Sequence, residues 1–69
     1  MNALPTQQYK CLYHLTQGMS YKEIGREMNL SPRTVEYYMG IIREKTGNKS
    51  RRALVQFFNI NYSQQFRQG

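Results

Sequence analysis

SYKEIGREMNLSPRTVEYYM, residues 20–39, decides the fold. Ser20 is followed three residues later by Glu23, the spacing of a capping box that satisfies two orphan amide donors reciprocally. Ile24 and Met28 then form an i, i+4 apolar pair, and Asn29 suits a left-handed stop. A second start follows at once. Ser31 is a good N-cap and Pro32 suits the first helical position, where its missing N–H costs nothing. Val35, Tyr38, Met39, Ile42 and Thr46 recur at helical spacing as an inward stripe, and Gly47 closes the segment. The pattern predicts helices over 21–28 and 32–46, separated only by Asn29-Leu30-Ser31. Two helices joined by so short a turn form a helix-turn-helix. Gly25 fits as the point where the two helices approach closely. The alternative is an ordinary substitution costing about 1 kcal/mol of helix stability relative to Ala.

The flanking segments complete an all-α reading with four helices. Leu4, Gln8, Cys11, Leu12 and Leu15 share one face of a helix expected over 6–17, with Pro5 at its entrance and Gly18 just beyond its end. A fourth helix is expected over 50–60, with Leu54 and Phe58 assigned to the core. No stretch alternates with period two for long enough to be a strand. The domain is expected over 4–60, after a short N-terminal tail at 1–3. Residues 61–69 are read as a tail that is either a frayed helical extension or disordered. The 21–28 helix is barely two turns long, so packing must hold it.

Composition narrows the function. The chain has 69 residues, ten Lys and Arg against four Glu, no Asp, and a net charge of +6. Its pI of about 9.8 carries the electrostatic footprint of a nucleic-acid binder, although small basic domains also bind acidic partners. Without Asp there is no phospho-acceptor aspartate and little material for general acid-base chemistry. One cysteine, Cys11, excludes an internal disulfide. Neither Cys11 nor His14 has companions at metal-ligand spacing, so no metal or cofactor is expected. No apolar run approaches a membrane span and no signal segment follows Met1, which together favour a cytoplasmic protein.

Gly18-Met19-Ser20-Tyr21-Lys22-Glu23-Ile24-Gly25, then Ser31, Thr34-Val35, Ile42, Lys45 and Gly47, then Arg51 with Leu54-Val55, resemble the LuxR-type (GerE-like) helix-turn-helix domain of bacterial transcription regulators. With Leu4 and Cys11-Leu12 the resemblance covers residues 4–58. The fixed spacing of G-x-S-x-K-E-I, S-x-x-T-V and I-x-x-K-x-G makes it specific. This sequence departs from the family at Gln7-Gln8, where Arg-Glu is usual, at Tyr38 for histidine, at Ile41 for asparagine and at Thr46 for leucine. The first departure replaces a bracing ion pair by hydrogen bonds. The last is expected to thin the core.

The resemblance implies double-stranded DNA as partner, with the helix at 32–46 in the major groove. Helical geometry then turns Arg33, Glu36, Tyr37, Gly40, Arg43 and Glu44 away from Val35 and Ile42. Of these, Arg33, Glu36, Tyr37, Gly40 and Arg43 are the base-contact candidates. A glutamate can accept from cytosine N4, or only offset Arg33 or Arg43. Tyr37 can meet a thymine methyl or a phosphate, or lie over its own helix. Gly40 removes a side chain from a position the family often uses to read bases. Lys22, Ser31, Arg33, Thr34, Lys45, Lys49 and Arg51 are the phosphate candidates, assisted by helix N-termini. Lys10, Arg26 and Arg67 are read as solvated charges.

In the family the fourth helix pairs with its symmetry mate, which here would use Ala53, Gln56, Phe57 and Ile60 in a homodimer on DNA. Alternatively Tyr62 and Phe66 fold back over that patch. RNA polymerase is a further conceivable partner. No small-molecule ligand is expected in this chain, which reads either as an excised output domain or as a complete small regulator. A second class of function is a helix-turn-helix that docks on polymerase or another regulator without reading DNA. An enzyme is not expected.

Overall fold

The computed structural model describes residues 4–47 and 50–67, with side chains described as far as Tyr62. It contains four helices: α1 (Thr6–Thr16), α2 (Tyr21–Met28), α3 (Pro32–Thr46) and α4 (Arg51–Arg67). Among the described residues there is no strand, so the all-α expectation holds. The ends of the first three helices follow the sequence closely. The fourth helix continues well past residue 60, so the segment left open between helical extension and disorder is helical to Arg67.

Each stop and start has a local cause. At the end of α1 the amide of Gly18 donates to the Leu15 carbonyl and that of Met19 to the His14 carbonyl. With Gly18 at φ +86°, this is the Schellman closure that leaves the last carbonyls satisfied. The Glu23 amide donates to the Ser20 hydroxyl at 3.1 Å, and the Ser20 amide donates to the Glu23 carboxylate at 2.9 Å, completing the capping box. Asn29 adopts φ 62° and ends α2. The Leu30 amide reaches back to the Gly25 carbonyl at 2.7 Å. The Thr34 amide donates to the Ser31 side chain at 3.1 Å, starting α3. Ser50 does the same for α4, accepting from the Ala53 amide at 3.0 Å.

Gly25 is required by the turn itself. A Cβ there would stand 2.5 Å from the Leu30 carbonyl oxygen and 3.4 Å from the Pro32 nitrogen. The close approach is therefore between α2 and the backbone leading into α3, and a methyl group has no room.

The core is one cluster of Cys11, Leu12, Leu15, Ile24, Val35, Met39, Ile42, Leu54 and Phe58. α1 is the hub: it packs on α2, α3 and α4, while α2 and α3 also pack on each other. Burial of such side chains contributes roughly 1.5–3 kcal/mol each, and this holds the two-turn α2 in place. Tyr38 and Thr46 are half-buried rather than central members of the α3 stripe. Thr46 lies at the end of α3 and donates to the Ile42 carbonyl at 2.8 Å, so its polar group is satisfied at the margin of the core. The Cys11 thiol donates to the Met28 sulfur at 3.5 Å, and burial pushes its pKa up.

Candidate nucleic-acid interface

α3 buries Val35, Met39 and Ile42 and turns Arg33, Glu36, Tyr37, Gly40 and Glu44 to the outside. The helix is fixed at both ends, by the Ser31 cap and by Gly47 at φ +75°. It is therefore a rigid rod presenting one polar and aromatic face. Among the described residues neither Arg33 nor Glu36 is held by a hydrogen bond or ion pair. The offsetting pair considered for Glu36 is accordingly not formed. Tyr37 is 66% exposed, with its ring 6.1 Å from that of Tyr38.

Arg43 differs from its four fellow candidates. It is half-buried, and its guanidinium donates to the Tyr21 hydroxyl at 2.6 Å, tying α3 to the start of α2. Its Nε is buried and unpartnered. The side chain is thus engaged along the flank of α3 rather than free on its outer face. Tyr21 was not singled out from the sequence. The two residues lie 22 positions apart, and no local pattern links them.

The phosphate candidates divide in the same way. Lys22 and Arg33 are exposed. Ser31 and Thr34 cap α3, with their hydroxyls 3.0 Å apart, and stand beside the Arg33 amide, the one donor of the first turn that the cap does not take up. Lys45 is exposed and donates a long 3.5 Å hydrogen bond to Gln8. Gln8 itself is buried, so the glutamine that replaces the usual charged pair still links α1 to α3, by a hydrogen bond as expected. Arg51 donates to the Met19 carbonyl at 3.0 Å and to the Leu15 carbonyl at 3.4 Å. A cation over these carbonyls complements the C-terminal dipole of α1, so Arg51 braces the fold where α4 begins. Lys49 lies outside the described residues.

On α4, Gln56 and Ile60 are exposed, and Ala53 and Phe57 are half-buried. Tyr62 packs edge-on against Phe57, with centroids 6.4 Å apart, and also contacts Phe58 and Tyr9. The fold-back considered for Tyr62 is not formed: Tyr62 lies within the continuous α4 and covers part of Phe57 from one turn further along the same helix. Ile60 remains 73% exposed beside it. Phe66, the other residue of that reading, and the charge of Arg67 lie outside the described side chains.

Among the described residues no group of three or more His, Cys, Asp or Glu could hold a metal ion, and no helix is long and apolar enough to cross a membrane. A family model described as bacterial regulatory proteins, luxR family, matches residues 2–58. No curated protein and no solved structure matches the chain. The family is one of DNA-binding transcription regulators and not an enzyme family. With its four-helix architecture and most of its length matched, the chain belongs to the LuxR family of bacterial regulatory proteins.

Proposed function

We propose that this domain binds double-stranded DNA sequence-specifically and regulates transcription, with α3 seated in the major groove. The observation that carries this reading is the outer face of α3. Arg33, Glu36 and Tyr37 stand exposed on a helix capped at both ends, and among the described residues neither Arg33 nor Glu36 is held by a hydrogen bond or ion pair. Unpaired polar groups carried on a regular helix are what reading base edges requires. Glu36 accepts from a cytosine amino group, Arg33 reaches a guanine edge or the adjoining phosphate, and Tyr37 contacts an apolar base surface. Lys22, Lys45 and the cap of α3 at Ser31 and Thr34 position the domain on the phosphates without reading sequence. Lys49 belongs to the same proposed set.

A two-fold dimer through α4 is part of the proposal, using Gln56, Ile60, Ala53 and the accessible part of Phe57. Because Tyr62 covers part of Phe57, the remaining apolar seam is small. The dimer is therefore weak in solution and assembles on DNA. The test is a titration of labelled duplex at several salt concentrations. A dimer making 6–10 phosphate contacts loses about 10³–10⁵ in affinity between 50 and 200 mM salt. A salt-insensitive domain that instead retains a protein such as RNA polymerase would favour the interaction-module reading.

A further inference from the structure

Gly40 is a residue that the fold does not need. It lies inside the regular helix α3, has no positive φ, and is exposed. A Cβ built on it would meet no atom within 4 Å. Gly25 is excluded from carrying a side chain by the Leu30 carbonyl, and Gly18 and Gly47 adopt left-handed φ. Gly40 has neither reason. Glycine in a helix interior costs stability relative to alanine, because the unfolded chain gains freedom and the helix gains nothing in return.

The surroundings of Gly40 make it a notch. One turn before it stand Glu36 and the exposed ring of Tyr37; one turn after it stand Arg43 and Glu44. The Arg43 guanidinium is drawn aside to the Tyr21 hydroxyl and donates to it there. The notch therefore has a bare backbone floor, with no side-chain atom within 4 Å of where a Cβ would stand. Glu36 and Glu44, one turn to either side, disfavour a phosphate at this point, because the Arg43 guanidinium is engaged with Tyr21. Among major-groove base edges, the group that projects and is apolar is the 5-methyl of thymine.

We infer that Gly40 is a specificity-determining position, at which the absence of a side chain admits a thymine methyl group against the helix backbone. The inference rests on the proposed DNA-binding reading and adds the base group recognised at this point. Here specificity comes from removing a side chain rather than adding one, and the cost is borne by the stability of α3.

The experiment compares the wild-type chain with Gly40→Ala on a duplex obtained by selection from a random library. Thermal melting comes first: Gly40→Ala should raise Tm by about 4–8 °C. Its affinity for the selected duplex should fall roughly tenfold or more, while low-salt binding to random-sequence duplex stays unchanged. Replacing one particular thymine by uracil, which removes only the methyl group, should weaken wild-type binding and restore part of the lost binding of Gly40→Ala. A more stable Gly40→Ala with undiminished affinity, or a loss that no thymine-to-uracil change relieves, would overturn the inference and leave DNA recognition intact. A lower Tm would overturn it too, by showing that the fold itself needs the glycine. A wild-type chain that prefers no duplex would remove the DNA reading, and the inference with it.

Discussion

The Arg43 guanidinium donates a 2.6 Å hydrogen bond to the Tyr21 hydroxyl and so joins the two helices of the helix-turn-helix across their open end. Asn29 and Leu30 close the other end through the Gly25 carbonyl. The angle between α2 and α3 is therefore held at two places, and with it the presentation of the α3 face. Tyr21→Phe removes the acceptor and keeps the ring. It should destabilise the domain by about 1 kcal/mol in urea denaturation, a typical net worth for such a bond in a half-exposed site. Unchanged stability would mean that water replaces the hydroxyl without loss.

Gly25→Ala should be more damaging than its size suggests. The added methyl meets a backbone carbonyl, which cannot swing away as a flexible side chain would. A loss of about 1–3 kcal/mol is expected, opposite in sign to the gain at Gly40. The pair of variants, measured by the same melts, separates a glycine required by the turn from one the fold does not require.

Lys45 and Arg51, both phosphate candidates by sequence, should part company on mutation. Lys45→Ala should weaken binding to all duplexes about equally and reduce the salt slope by about 1. Arg51→Ala removes a cation from the Leu15 and Met19 carbonyls, so its effect should appear first in stability. The check is to run salt titrations and melts on both. A loss of affinity by Arg51→Ala at full stability would give that residue to the DNA.

Glu36→Ala should relax preference at a single base position, worth roughly 1–3 kcal/mol for a direct contact. Competition among single-base variants of the preferred site would read this directly. Preference unchanged at every position would return Glu36 to a solvent-exposed charge.

Cys11 should be silent in the folded protein. Its side chain is fully buried and burial raises its thiol pKa, so little thiolate forms near neutral pH. An aromatic disulfide reagent should react at the rate of unfolding, and at once in denaturant. Because the folded pKa lies above the unfolded one, the contribution of this group to stability is complete below the unfolded pKa. It declines as pH rises towards and through the folded value.

Where structure depended on neighbours in the chain, the sequence was legible. The capping box at Ser20 and Glu23, the Ser31-Pro32 start, the Asn29 stop and the Gly18 and Gly47 closures all act within a few residues, and the first three helices could be placed from them. The α3 face was legible too, because one period places both the buried and the exposed residues. What escaped were side-chain contacts between distant positions. Arg43 was assigned to the outer face by its helical angle, yet a long side chain reaches round to Tyr21, and periodicity carries no information about that partner. Arg51 was likewise assigned by charge, and its carbonyl partners lie more than 30 residues away. The length of α4 escaped for another reason: Asn59 to Arg67 is mostly polar, and polar residues mark a helix that leaves the core as readily as they mark a loop.

The central claim, that the α3 face reads DNA, is tested most directly by selecting duplexes from a random library on this chain at moderate salt. The account predicts enrichment of an inverted repeat with half-sites about one helical turn apart, because two copies related by α4 present two α3 helices. Recovery of single half-sites would retain the reading face and remove the α4 dimer. No enrichment above the starting library would contradict the account.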